Sequence, residues 1–139
     1  MKTLASLAVL VALGAAPLRA EEPFPIAYYY KVRWGFQQEF ERLFFKNHYP
    51  LLVAQKERGR MLGVNVYRPT FHGEGRADWT FLVVIIYPGW TTFASPSEEE
   101  SLARTLFPDQ ETFRREEQRR FEVLEAHWDV PLVPAKPPQ

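Results

Sequence analysis

WTFLVVIIYP, residues 79–88, decides the fold. From Phe81 to Ile86 no position is polar. Successive side chains of a strand point to opposite sides, so an extended chain here is apolar on both faces. The run predicts a central strand covered on each side. Pro88-Gly89 closes it with a turn. What covers the second face is the question it raises.

The neighbouring segments supply the rest of a sheet. MLGVNVYRP, residues 61–69, sets Leu62, Val64 and Val66 against Asn65 and Tyr67, and Pro69 ends it. That alternation predicts a half-buried strand. Polar, glycine-bearing FHGEGRAD, residues 71–78, joins the two runs into a hairpin over 61–88. IAYYYKVR, residues 26–33, is rich in aromatic and β-branched residues and reads as another strand. Ile26, Tyr28, Tyr30 and Val32 share one face, and Ala27, Tyr29, Lys31 and Arg33 the other; the pattern leaves open which face looks inward. HWDVPLV, residues 127–133, alternates Trp128, Val130 and Leu132 and reads as the last strand.

Helical periodicity fills the intervals. Phe36, Phe40, Leu43, Phe44 and Leu51 recur at three-to-four spacing. Pro50 interrupts this stripe: it has no N–H and its ring crowds the preceding turn, which predicts a kink or a restart. LLVAQKER continues in register to Gly59, placed as a C-terminal cap. Trp90 to Phe107 reads as helix in pieces, with Ser97 able to cap the glutamates behind it. Asp109 caps a longer helix, QETFRREEQRRFEVLE. Its apolar side is thin (Phe113, Phe121, Leu124), so its charged remainder reads as a solvated face.

The order is β-α-β-β-α-β, an α+β, ferredoxin-like plan with a four-stranded antiparallel sheet and helices on one face. The other sheet face is apolar and aromatic, and a monomer rarely exposes such a face. Packing two sheets together is the physical remedy, so a homodimer through sheet faces is expected.

Composition narrows the rest. The chain has 139 residues, 17 basic and 17 acidic side chains and no cysteine. MKTLASLAVLVALGAAPLRA, residues 1–20, has a basic start, a short apolar run and a small residue at Ala20, the pattern of a secretory signal peptide. The run is too short for a good membrane span, so no stable membrane anchor is expected after cleavage. The expectation is an exported protein, periplasmic or secreted, with a single domain over 21–139 and its core at about 26–133. Without Lys2 and Arg19 the acids slightly outnumber the bases, and there is no basic block, which argues against a nucleic-acid partner. Stability must come from an apolar core, since disulfides cannot form.

Two stretches carry a resemblance. YYYKVRWGFQQEFERLF is similar to the opening of NIPSNAP-type domains: a tyrosine-bearing strand, a glycine turn, then a helix rich in Glu and Phe. EFERLFFKNHYPLL resembles the first helix of EthD-type domains, which also ends in a histidine, one residue, then Pro-Leu. Both belong to the dimeric α/β-barrel superfamily, in which two ferredoxin-like subunits close their sheets into one barrel. The resemblance implies that fold and dimer, and a His48 that faces a pocket. It names no reaction: members include monooxygenases, isomerases, haem-degrading enzymes and proteins of no known activity.

Candidate site residues follow from both readings. Phe36, Phe40, Phe44 and His48 are four apart, so His48 lies on or beside the stripe that faces the sheet. An unperturbed histidine titrates near neutral pH and can move protons or orient a ligand, which makes His48 the catalytic candidate. The competing role is a half-buried ring that caps the broken turn. Asn47, Tyr28, Tyr30, Asn65, Tyr67, His72 and Trp79 are candidates for the few polar or aromatic groups a mostly apolar pocket needs. His127 reads as a cross-strand partner.

No cofactor is expected. Three histidines without cysteine or H-x-x-x-H spacing form no metal motif. The one metal arrangement left open is two histidines and a carboxylate from His48, His72 and Asp78. Haem enters only by family analogy, and the helix around 109–125 has no histidine to match. The expected function is binding of a small, partly aromatic molecule, with cofactor-free catalysis through His48. The alternative is a non-catalytic exported dimeric interaction or scaffold module.

Overall fold

The computed structural model describes residues 21–71, 78–135 and 137. The strands are β1 (Phe24–Val32), β2 (Gly63–Tyr67), β3 (Phe81–Tyr87) and β4 (Leu124–Pro131). The helices are α1 (Gln37–Leu43), α2 (Tyr49–Glu57), α3 (Trp90–Ala94), α4 (Glu99–Leu106) and α5 (Gln110–Glu122). All strand pairs are antiparallel, in the order β2-β3-β1-β4. That is the ferredoxin-like order expected, with the doubly apolar β3 and the tyrosine-rich β1 at its centre.

Register settles which face looks inward. Tyr30 lies opposite Phe81 on one side and His127 on the other, and Tyr28 opposite Val83 and Asp129. Ile26, Tyr30, Val32, Phe81, Val83 and Ile85 are buried under the helices, with Val64 and Val66 packed beside them. The opposite face carries Tyr29, Leu82, Val84, Ile86, Tyr67 and Trp128, with no helix over it among the described residues. Tyr29 and Trp128 stack there at 5.3 Å.

The first helical stretch does not break at Pro50. α1 passes into a π turn at Phe44–His48 and then into α2. The N–H of Tyr49 donates to Phe44 O, five residues back rather than four. The wider turn takes up one extra residue just before the proline, and Pro50 occupies the first turn of α2, where its missing N–H is tolerated. The helix is thus continuous through a π turn, in place of the kink or restart that the proline predicts.

Phe40 and Phe44 are fully buried and meet Phe81 edge-on at 5.3 and 4.8 Å. Such pairs add to the area they bury. Gly35 ends β1 in a left-handed conformation (φ 85°), and Gly59 does the same after α2 (φ 79°). Ser97 Oγ accepts from the N–H of Glu99, and Asp109 caps α5 through Thr112 N–H at 3.0 Å. Ion pairs tie α5 to the first helix: Arg119 to Glu39 at 2.8 Å, and Lys46 to Glu116 at 2.6 Å.

Removing the Phe44 ring leaves a void in the middle of this packing. Phe44→Ala should lower the unfolding free energy by about 3–5 kcal/mol, read from denaturant midpoints at unchanged slope.

Candidate functional site

Between the sheet and the helices lies a cavity of about 260 Å³. Its floor is the inward face of three strands: Tyr28 and Tyr30 from β1, Val83, Ile85 and Tyr87 from β3, and His127 from β4. Its roof comes from every helical segment near it. His48 descends from the π turn, Leu52 and Gln55 from α2, Phe93 from α3, Glu99 from α4 and Arg120 from α5. Arg60 and Met61 close the side between α2 and β2.

The sequence puts polar groups here by helix periodicity. On α2 the inward positions are Leu51, Leu52 and Gln55. On α5 the inward row is Phe113, Glu116, Glu117 and Arg120, three to four apart. Gln55 and Arg120 are therefore as buried as their apolar neighbours, at 3% and 1% exposure.

Buried polar groups normally find partners. Among the described residues, three buried side-chain atoms do not: His48 Nδ1, Gln55 Nε2 and Arg120 Nη1. All three side chains line this cavity. Arg120 and Gln55 are held by their other atoms. Arg120 Nε and Nη2 donate to the two oxygens of Glu117 at 3.1 and 2.7 Å. Gln55 Oε1 accepts from Ser97 Oγ at 3.3 Å.

The electrostatics favour neutral groups around two guanidinium ions. Burial lowers the His48 pKa to about 3, and the charges of Arg120 and His127 lower it in the same sense. Glu117 Oε2 is 3.7 Å from His48 Nδ1, close enough to suggest an ion pair. That oxygen is already held by Arg120, whose cation opposes a second positive charge beside it. The imidazole is therefore neutral at working pH, and His48 does not titrate in the range an unperturbed histidine would.

Burial pushes the Tyr28 hydroxyl well above the phenol range, with its contact to Tyr87 adding to the effect (3.4 Å between the oxygens). Burial also raises Tyr87. Tyr30 is pushed up to about 12 by burial, against the opposing pull of Arg120. Burial raises the Glu99 carboxyl, and Glu117 raises it further.

Of the residues singled out from sequence, the structure brings His48, Tyr28 and Tyr30 to this cavity. Asn47 is buried, but its amide faces α5 and donates to Glu116 Oε2 at 2.9 Å. Tyr67 is half exposed on the open sheet face, with Asn65. Trp79 meets Tyr29 at 6.0 Å on that side and lines a separate cleft with Trp34, Arg68 and Phe71. His72 lies outside the described residues. His127 pairs across with Tyr30, stacks on it at 4.3 Å and donates from Nδ1 to Tyr29 O at 2.8 Å, the cross-strand role expected.

Reading the charged remainder of the longer helix as solvated is wrong at its most consequential position. Arg120 is buried because it continues the row begun by Phe113, and that spacing was the available signal. Gln55, on the same stripe as Leu51 and Leu52, carried a similar one. Among the described residues no group of three His, Cys, Asp or Glu side chains is placed to hold a metal ion.

No protein-family model matches the chain, and no curated protein matches it in sequence. Solved structures do share its fold. A NIPSNAP family protein from Agrobacterium tumefaciens str. C58 superposes with a TM-score of 0.51 at 16% identity, covering 83% of this chain and 88% of that one. SnoaB, a cofactor-independent oxygenase from Streptomyces nogalater, gives 0.48 at 12% identity over 83% and 95%. A dabb family protein with a ferredoxin-like fold from Mesorhizobium loti gives 0.44 at 15% identity over 82% and 98%. At 16% identity the first of these is a likeness of fold alone.

Two outcomes test the site. The His48 pKa is depressed in the folded chain, so the unfolded chain binds the extra proton first as pH falls. Stability tied to His48 is complete above its ordinary value of 6.5 and is lost progressively toward about 3. His48→Gln should therefore gain on the parent between pH 6.5 and 4 in thermal midpoints, because carboxylate effects are common to both. Arg120→Met leaves Glu117 without its cation. It should cost about 3 kcal/mol, the low end for a buried pair because Glu117 keeps some contact with water. Adding Glu117→Gln should recover much of that loss.

Proposed function

We propose that the protein is an exported small-molecule-binding domain that holds a small, partly aromatic ligand in the cavity between sheet and helices. One observation carries this reading: three side chains from three helical segments, each with a buried polar atom that has no hydrogen-bond partner in the protein, line one cavity whose other walls are mostly aromatic and aliphatic. Leaving a buried donor unpaired costs about 1–3 kcal/mol. A ligand that supplies the partners recovers this on binding, and one that does not is rejected by the same amount. Few convergent polar groups in an apolar wall are what orient a small molecule.

The volume sets the ligand's size. It falls below the roughly 300 Å³ at which pockets for drug-sized molecules begin, so a single substituted ring is the natural occupant. His48 is the anchor: a neutral imidazole that hydrogen-bonds the ligand, not one that switches charge. The chemistry these side chains offer needs no cofactor. The protonated phenols of Tyr28 and Tyr87 donate, and neutral His48 accepts.

Export rests on the pattern of residues 1–20. Among the described residues no helix is long and apolar enough to cross a membrane. A homodimer through the open sheet face rests on Leu82, Val84, Ile86, Tyr29 and Trp128, which form an apolar surface with no helix above it among the described residues. That same face favours a second reading, a non-catalytic dimeric interaction module whose cavity takes no ligand.

Methyl-resolved spectra of the mature chain decide between them. With monocyclic aromatic and quinone-like compounds, Leu52, Met61, Val83 and Ile85 should shift together, and His48→Gln should weaken the binding with little change in melting temperature. A screen in which no compound moves these methyl groups, or in which His48→Gln alters stability alone, sinks the ligand reading and leaves the interaction module. Sedimentation at micromolar concentration should show a dimer; a stable monomer would refute closure through the sheets.

A further inference from the structure

The geometry points to a carboxylate on that ligand, paired with the free N–H edge of Arg120 and the amide of Gln55. This deepens the binding reading above and rests on it.

Arg120 is the least exposed charged side chain described, at 1%. A guanidinium cannot shed its proton, so it stays charged however deeply it is buried. Glu117 takes its Nε and Nη2, and Nη1 is left buried without a hydrogen-bond partner on a side chain that lines the cavity. If a structural ion pair were its whole purpose, the remaining N–H groups would be turned to a carbonyl or to solvent. Nη1 has neither, and the polar group beside the guanidinium is the Tyr30 hydroxyl. Gln55 Nε2 is a second buried donor without a partner, on another side chain that lines the same cavity. Two such N–H donors, one of them charged, match a two-oxygen acceptor; guanidinium groups favour carboxylates for this reason.

The surrounding charges agree. The groups with formal charge around the cavity are Arg60 and Arg120 against Glu99, with Glu117 behind Arg120. Arg60 is spent on backbone: its guanidinium donates to the carbonyls of Ser95 and Pro96 at 2.8 and 3.2 Å, and to Ser95 Oγ. Those acceptors carry no charge to offset it. Glu99 is the one lining carboxyl, and burial drives it toward its neutral form. Asp129 stands at the far rim beside His127 and is half exposed. The interior is thus balanced, or one positive charge in excess, before anything enters. A cationic ligand would meet Arg120 and Arg60 against the single lining carboxyl of Glu99. A neutral ligand would satisfy the amide but not the charge-assisted donor.

The walls fix the remainder. Val83, Ile85, Leu52, Met61 and Phe93 offer only apolar contact. The Tyr28 and Tyr87 hydroxyls, in contact with each other, provide a second polar spot for a hydroxyl or carbonyl substituent. Benzoate and its hydroxylated relatives have this layout: a flat apolar body with a carboxylate at one end.

Matched probes test this on the intact mature protein at pH 7. Benzoate and benzamide have nearly the same shape and differ in charge. Benzoate should bind at least tenfold more tightly, and should shift the Gln55 side-chain amide resonances together with the methyl groups of Val83 and Ile85. Gln55→Met keeps the side chain's length and removes the donor; it should weaken benzoate severalfold and benzamide less. Arg120→Lys keeps the charge and loses the fork; it should abolish the preference for benzoate. Should that variant fold poorly, the benzoate-to-benzamide ratio on the parent and on Gln55→Met decides alone. Equal binding of the two compounds overturns the carboxylate assignment while leaving the cavity as a ligand site. Benzoate binding that leaves the Gln55 amide unmoved places it elsewhere and overturns the assignment too. If neither compound binds and a crystal structure finds only ordered water on Arg120 Nη1 and Gln55 Nε2, both the assignment and the binding reading fall.

Discussion

Pro50 has no N–H to give, and the first helical layer is arranged around that deficit. In a plain α-helix the proline ring would press on the turn before it and leave a carbonyl without a donor. Here the chain widens into a π turn over Phe44–His48 and delivers Pro50 to a first-turn position. Two things follow from the one extra residue. Asn47 turns toward α5 and ties the helices together through Glu116. His48 turns toward the sheet, beside Phe44 at 5.5 Å, and enters the cavity. π turns are often found where a functional side chain must be re-aimed.

The second layer of constraint is the polar seam between α5 and that turn. Glu116 takes Lys46 and Asn47, Glu117 takes Arg120, and Arg119 reaches Glu39. The outer pairs are partly solvated and contribute little each. Arg120–Glu117 is different, because its guanidinium is out of water. A buried pair of this kind is weak evidence for stability, since an apolar pair of the same volume would often do as well. Its presence is better explained by what it orients. The pair holds the guanidinium at a set angle, and its field helps to keep His48 neutral. One side chain thus lines the cavity and adds to the burial that keeps a second one neutral.

How far this was legible in the sequence depends on the distance over which each feature is decided. β3 is apolar at every position and β2 alternates, so the hairpin and its central strand follow from local pattern. The order of strands and helices follows with them, and so does the bare second face of the sheet. Which face of β1 looks inward did not follow, because Tyr28 and Tyr29 are chemically alike; the register with β3 and β4 decides it. His48 could be placed beside the helical stripe from its spacing to Phe44. Its low pKa could not, because the causes are its burial in the folded core and, after that, the charge of Arg120, more than seventy positions along the chain and folded back against it. Arg120 itself was hidden by its charged neighbours. In QETFRREEQRRFE the eye meets a solvated helix, and only the row from Phe113 shows that one arginine must point inward.

The open sheet face and the cavity under the helices divide the aromatic residues between two sides of the sheet. Tyr29, Trp79 and Trp128 contact one another outside, where a flat apolar surface suits association with another such surface. Tyr28, Tyr30 and Tyr87 stand inside with hydroxyls that burial keeps protonated. Alternation along β1 makes the division: one strand sends neighbouring tyrosines to opposite sides. Covering the outer face would leave the inner cavity bounded by groups of a single subunit, because all of its lining comes from the helix side of the sheet. Association and ligand binding would then be separable in this protein. A substitution on Val84 or Trp128 would act on the first, and one on Gln55 or Arg120 on the second, with the backbone of the sheet as their common support.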